Sequence, residues 1–168
     1  MDIFIIHSNI TKNFTKDFLY GFQKKEISNS RVKDTHCLAY LMLDSILREY
    51  YKIENREIIF VEKKPVLKSG GKHFSISHSG DYIALAFSDF NCGVDIEEVT
   101  ERDYKKIAER MNFKSASLIE FYNDWTKFEA EYKMNSFTKS AKKIIFENYI
   151  ISVVSENLNE EYSVYLQK

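Results

Sequence analysis

Proline occurs once in the 168 residues, at Pro65, and glycine five times. So few chain breakers argue against long irregular loops and favour regular structure. Cysteine is equally sparse: Cys37 and Cys92 stand alone, outside any CxxC or metal-ligand spacing. A disulfide framework and a zinc site are thereby disfavoured, and two reduced thiols are expected. No charge of one sign prevails, because 24 Lys and Arg face 25 Asp and Glu for a formal net charge of −1. Nucleic-acid binding receives no support from that balance, and any anion site must be local. No apolar run approaches the roughly 20 residues that cross a bilayer. The first residues, with Asp2 ahead of a short apolar stretch, lack the form of a secretory leader. A soluble, cytoplasmic protein is the expectation, with no nucleic-acid or membrane partner.

What is abundant is hydrophobic and aromatic: 44% of residues are hydrophobic, with 11 Tyr and 13 Phe, against 29% charged. That is a globular composition, at a length that suits one substantial core or two small subdomains sharing an interface. Periodicity predicts strands over residues 3–7, 58–61, 74–77, 82–88 and 93–97, with turns at 67–72, 79–81 and 90–91. Helices are predicted over 16–24 and about 33–51, the second carrying Ala39, Met42, Leu43, Ile46 and Tyr50 at helical spacing. Beyond Glu97 the character changes. Helices over about 103–111 and 115–135 follow, the longer with Leu118, Phe121, Tyr122, Trp125 and Tyr132 as its apolar stripe. Strands over 143–155, broken near Glu147 and Asn148, and over 162–166 finish the chain. A subdomain boundary is expected near residue 100.

Two constellations carry chemistry. In the strand Gly93-Val94-Asp95-Ile96-Glu97, alternate side chains share a face, so Asp95 and Glu97 stand about 7 Å apart while Val94 and Ile96 point into a core. Two carboxylates on one face are half of a hard-cation site, or simply a solvated face. On the helix beginning at Trp125, Glu129 and Lys133 are one turn apart, so an acid and a base meet one ligand together.

Phe74-Ser75-Ile76-Ser77-His78-Ser79-Gly80, the Asp95 strand and the Trp125 to Lys133 helix, in this order, resemble the 4′-phosphopantetheinyl transferases. The resemblance is to the larger, pseudodimeric type that acts on peptide and polyketide synthase carrier domains. It covers roughly residues 60–135. It implies an α+β fold of two similar subdomains related by a pseudo-twofold, each a small antiparallel sheet packed with helices, with the active site at their interface. The first would cover 1–100, the CoA-binding side with the metal strand, and a smaller second would cover 101–168. It further implies transfer of the phosphopantetheine arm of coenzyme A to a serine of an apo acyl or peptidyl carrier protein, releasing adenosine 3′,5′-bisphosphate. A monomer would be natural for such a chain.

By that resemblance Asp95, Glu97 and Glu129 would hold Mg²⁺, or Mn²⁺, with Glu129 also taking the serine proton and Lys133 stabilising the pyrophosphate. Ser77 and His78 would contact a CoA phosphate, although a lone histidine at a strand end is also commonly a buried, hydrogen-bonded one. Lys64 would border the nucleotide, where a Lys63-Lys64 pair alone reads as a solvated turn. Arg31 and His36, with Lys33 between them, fall where the family holds the 3′-phosphate, and an exposed helix start explains them as well. Trp125 is expected to pack. Two departures stand out: Phe128 replaces a lysine before Glu129, and Met134-Asn135-Ser136 replaces a Gly-containing stretch. They leave open a relative that binds CoA or a carrier without transfer. An unrelated Mg²⁺-dependent nucleotide hydrolase would account for the carboxylates but not for the ordered motifs.

Overall fold

A computed structural model describes residues 1–11, 34–137 and 141–167. The helix expected over 16–24, and Arg31 and Lys33, lie outside the described residues. Among those described, the chain runs through β1 (Asp2–His7), a 3-10 turn (Ser8–Thr11), α1 (Asp34–Glu49), β2 (Ile58–Val61), β3 (Lys64–Leu67), β4 (His73–Ser79), β5 (Tyr82–Ser88) and β6 (Cys92–Glu98). It continues with α2 (Lys105–Arg110), α3 (Leu118–Met134), β7 (Lys142–Phe146), β8 (Tyr149–Ser155) and β9 (Ser163–Gln167). The fold is α+β. One sheet has the order β4-β5-β1-β9, another β6-β8-β7, and β2 and β3 form a separate hairpin. All ladders are antiparallel except β1 with β9. Strands from either side of residue 100 share both larger sheets, β6 pairing with β8 and β9 with β1.

Strand alternation assigns each face. Phe4, Ile6, Ile83, Leu85 and Phe87 meet Leu38, Ala39, Leu43 and Leu47 of α1. The residues between them, Ile3, Ile5, Ala84 and Ala86, pack instead against Val94, Ile96, Ile151 and Val153 of the three-stranded sheet. The far face of that sheet carries α3, through Ile150 with Phe121 and Tyr122 and through Val154 with Ala130 and Met134. The layers are therefore α1, four-stranded sheet, three-stranded sheet, α3.

The position of α3 is set at three points. Ser117 caps its start by accepting from the Glu120 N–H at 3.2 Å, and Glu120 reaches back to the Ala116 N–H at 2.6 Å. Asn135 closes its end in the left-handed region, φ 56°, where a short polar side chain is tolerated. Between them Gly93 lets the helix approach β6 so closely that a Cβ there would sit 1.9 Å from the Ala130 carbonyl oxygen.

Two expectations need correction. Tyr132 is 66% exposed rather than part of the buried stripe, because Ala130 and Met134 supply the face turned to the sheet. Residues 64–67 are a strand rather than part of a loop and turn. Their hairpin turns through Glu62 and Lys63, at φ 49° and 71°, a mirror-image turn built without the Asn or Gly that usually announces it.

Candidate active site

The strand β4 is the edge of the first sheet and β6 the edge of the second, and unpaired edges need partners. Three serines of β4 at alternate positions supply them. Ser75 Oγ accepts from the Val94 N–H at 3.0 Å, and Ser79 Oγ accepts from the Glu98 N–H at 3.0 Å. Ser77, between them, donates to Asp95 Oδ1 at 2.8 Å, and Ser79 also donates to Glu97 Oε2 at 3.1 Å. The Ser-x-Ser-x-Ser pattern thus caps the β6 edge and holds the two carboxylates in the same stroke.

Asp95 and Glu97 pair with Ser152 and Ile150 in the β6–β8 register, on the face that α3 covers. Lys133 descends from α3 and donates to Asp95 Oδ1 at 2.7 Å, Ser77 Oγ at 2.8 Å and the Val94 carbonyl at 3.2 Å. All three ammonium protons are therefore committed to protein acceptors. Asp95 is 4% exposed, and its second oxygen, Oδ2, is buried without a hydrogen-bond partner. Trp125, one turn before Glu129, packs against Phe121 but also donates from Nε1 to Glu97 Oε1 at 3.2 Å.

The electrostatics of the carboxylates are strained. Burial raises Glu97 above the ordinary glutamate value and the Asp95 charge adds to it, while hydrogen bonds from Ser79 and Trp125 act the other way. Glu129 is raised for the same two reasons, burial first and Asp95 second, with Lys133 opposing. Among the described residues no three His, Cys, Asp or Glu side chains converge closely enough to hold an ion. The donor set nevertheless suits a hard cation in kind: all oxygens, one of them orphaned and buried, and two carboxyls strained by a third. In this arrangement the Lys133 ammonium is the cation that meets Asp95, at 2.7 Å.

These groups open onto a cavity of about 700 Å³. Ser77, His78, Asp95, Glu97 and Lys133 line it, together with His36 and Tyr40 of α1 and Lys64 of the hairpin. His36 and His78 stand edge to face, ring centroids 6.0 Å apart. His36 and Lys133, 97 residues apart in the sequence, thus meet at one opening. Glu129 is not among the lining side chains. Lys64 lies partly under the wall: its ammonium donates to Asn91 Oδ1 and to the Cys92 carbonyl at 3.0 Å, and burial holds it below the ordinary lysine value. Asn91 in turn donates to the Met134 carbonyl at 2.8 Å, and Asn135 donates to Glu62 at 2.9 Å. The hairpin, the β5–β6 turn and the end of α3 are tied together by these side chains. Sequence reasoning gave Asn91 and Ser79 no role beyond turns and a motif, marked Asn135 only as part of the Met134-Asn135-Ser136 departure, and took Trp125 for packing alone. The serines at every second position of β4 were the available signal.

The fold is α+β, and an acidic strand, a lysine-bearing helix and two histidines meet at one cavity. No protein-family model matches the chain. Two curated proteins do. The 4′-phosphopantetheinyl transferase psf-1 of Bacillus pumilus is 38% identical over 77 residues, 44% of this chain and 33% of that protein. The 4′-phosphopantetheinyl transferase gsp of Aneurinibacillus migulanus is 31% identical over 108 residues, 62% of this chain and 42% of that protein. The matches thus span less than half of either relative. Both support membership of the 4′-phosphopantetheinyl transferase superfamily.

Proposed function

We propose that this protein transfers the 4′-phosphopantetheine arm of coenzyme A to a serine of an apo carrier protein, leaving adenosine 3′,5′-bisphosphate. The observation that carries the proposal is the convergence of His36, Ser77, His78, Asp95, Glu97 and Lys133 on one cavity. A serine hydroxyl attacking a phosphorus surrounded by negative oxygens needs charge neutralisation, alignment and a proton acceptor.

His36, His78 and Lys64 border the part of the cavity nearest α1 and the hairpin, suited to the phosphates and nucleotide of coenzyme A. To hold Mg²⁺ or Mn²⁺, which when bound supplies neutralising charge to the pyrophosphate, Asp95, Glu97 and Glu129 would have to draw closer together than they stand here. Glu129 accepts the serine proton. Its carboxyl, raised by burial and by Asp95, is a better base than an exposed glutamate. Lys133 presents positive charge where the leaving phosphate's charge grows, once its ammonium turns from Asp95. The work is divided between a CoA-binding side, residues 1–100, and the α3 side, and a single chain carries both.

Calorimetry with coenzyme A and with adenosine 3′,5′-bisphosphate tests the assignment of the cavity. Both should bind, and His78→Ala should weaken both. Absence of binding by either nucleotide would remove the proposal's foundation. A second reading, a relative that binds coenzyme A or a carrier without transfer, is favoured by Phe128. It stands where a lysine is expected and packs against Phe113 and Trp125, ring centroids 6.1 and 6.3 Å away.

A further inference from the structure

The hairpin of β2 and β3 belongs to neither larger sheet. Its base is anchored by Ile58 and Leu67 in the core under α1. At the turn end, where Val61 is 51% exposed, polar side chains hold it instead. Asn91, in the turn between β5 and β6, is the centre of that hold. Its Oδ1 accepts from the Lys64 ammonium, while its Nδ2 donates to the Met134 carbonyl at 2.8 Å and to Glu156 Oε1 at 3.1 Å. Its own carbonyl accepts the Glu156 N–H at 3.0 Å. One side chain thus joins the hairpin, the last turn of α3 and the segment after β8. Only an amide serves here, because one end must accept and the other donate.

Lys64 gives a second N–H to the Cys92 carbonyl at 3.0 Å. With two N–H groups committed to protein, a third is left for a ligand anion only while the amine is protonated. Burial opposes that form and holds Lys64 below the ordinary lysine value. The ionisable groups facing it are Cys92 of β6, its thiol pushed up to about 12, and Glu156, whose charge favours the ammonium. Glu62, on the hairpin itself, is bonded to Asn135, and Lys133 of α3 to Asp95. We propose that Asn91 is a positioning residue that holds the Lys64 ammonium at the cavity for the phosphates of the nucleotide. The proposal rests on the nucleotide assignment made under the proposed function and goes beyond it by naming the group through which Lys64 is held. Asn91 spends both ends of its amide on the protein and acts through Lys64.

Adenosine 3′,5′-bisphosphate, whose phosphates titrate near about pH 6, is the probe, and its affinity is measured by calorimetry between about pH 7 and 10.5. The wild-type affinity should fall by about 10- to 100-fold as Lys64 loses its proton, the worth of a hydrogen bond to a charged group. Lys64→Met, with no amine to titrate, should bind that much more weakly at the start of the range and lack the fall. Asn91→Ala removes an acceptor from the ammonium and should move the fall lower by about one pH unit, whereas Asn91→Asp puts a carboxylate there and should move it higher by about as much. Both variants lose the donor to Met134. A role confined to tying down α3 would therefore lower the melting temperature of both and shift the fall in neither. Should Asn91→Ala fail to fold, the upward shift in Asn91→Asp carries the decision. A fall at the wild-type pH in folded Asn91→Ala and Asn91→Asp would overturn the positioning role alone. A Lys64→Met protein that keeps the wild-type affinity and the fall would overturn the assignment of Lys64, and this role with it. A wild type that does not bind the nucleotide would overturn the reading of the cavity as well.

Discussion

Gly93→Ala isolates the seat of α3 with one methyl group. The added Cβ would lie 1.9 Å from the Ala130 carbonyl oxygen, 2.9 Å from its carbon and 3.1 Å from Val154 Cγ2. Non-bonded heavy atoms sit comfortably at about 3.5 Å, so the α3 backbone must retreat by roughly 1.5 Å. The obstacle is backbone, and no rotamer change relieves it. Overpacking of this kind costs about 1–3 kcal/mol, and the upper end is expected here. For a chain of this size, about 3 kcal/mol lowers the melting temperature by roughly 6–12 °C. The functional loss should exceed the stability loss, because Trp125, Glu129 and Lys133 all ride on α3. A displacement near 1 Å can cost about 100-fold in rate. Thermal unfolding, Trp125 fluorescence and single-turnover transfer report the three effects. A Gly93→Ala protein that melts within about 1 °C of wild type with unchanged fluorescence would refute the close seating of α3 on β6.

Other perturbations probe the site's charges. Lys133→Met leaves Asp95, 4% exposed, with Ser77 as its remaining donor, and should cost about 3–5 kcal/mol in urea unfolding. Adding Asp95→Leu to that variant should recover most of the loss, and no recovery would mean the pair is not the source. Glu97 and Glu129 are both raised by burial and by Asp95, so the folded state binds protons more readily than the unfolded chain just above the usual carboxylate range. Their contribution to stability therefore falls as pH rises through that window, and Glu97→Gln should flatten the slope and stabilise the protein at neutral pH. A variant with the wild-type pH–stability curve would contradict the burial assigned to Glu97. Glu129→Gln should lower transfer by orders of magnitude while the melting temperature at neutral pH rises slightly rather than falls, for the same reason as in Glu97→Gln. Cys92, fully buried with its thiol pushed up to about 12, should react with thiol reagents only as the chain unfolds.

Much of this was legible in the sequence because it followed period and alternation. Strand alternation alone put Asp95 and Glu97 on one face and Val94 and Ile96 on the other, and the structure places them so. The helix from residue 115 and the break at Glu147 and Asn148 were likewise visible, since caps and turns are local chemistry. What was not legible depends on pairing between distant segments. Nothing local to β6 says that its ladder partner is β8 rather than its neighbour β5. Nor does β4 announce that its serines serve another strand's edge. Tyr132 was misplaced because an apolar residue at helical spacing reads as core until the facing surface is known. The β2–β3 hairpin was missed because its turn uses Glu62 and Lys63 at positive φ, a conformation those residues seldom adopt. The Lys133 contact with Asp95 joins residues 38 positions apart, and no spacing rule reaches that far.

Intact-mass spectrometry of an apo carrier protein reads the proposed transfer itself. The carrier is incubated with this protein, coenzyme A and Mg²⁺, with fatty-acid, peptidyl and polyketide carriers tried in turn. A gain of one phosphopantetheine on the carrier serine, abolished by Asp95→Ala, is the predicted result. Binding of coenzyme A with no modification of any carrier would contradict the claim and leave a binding protein in its place.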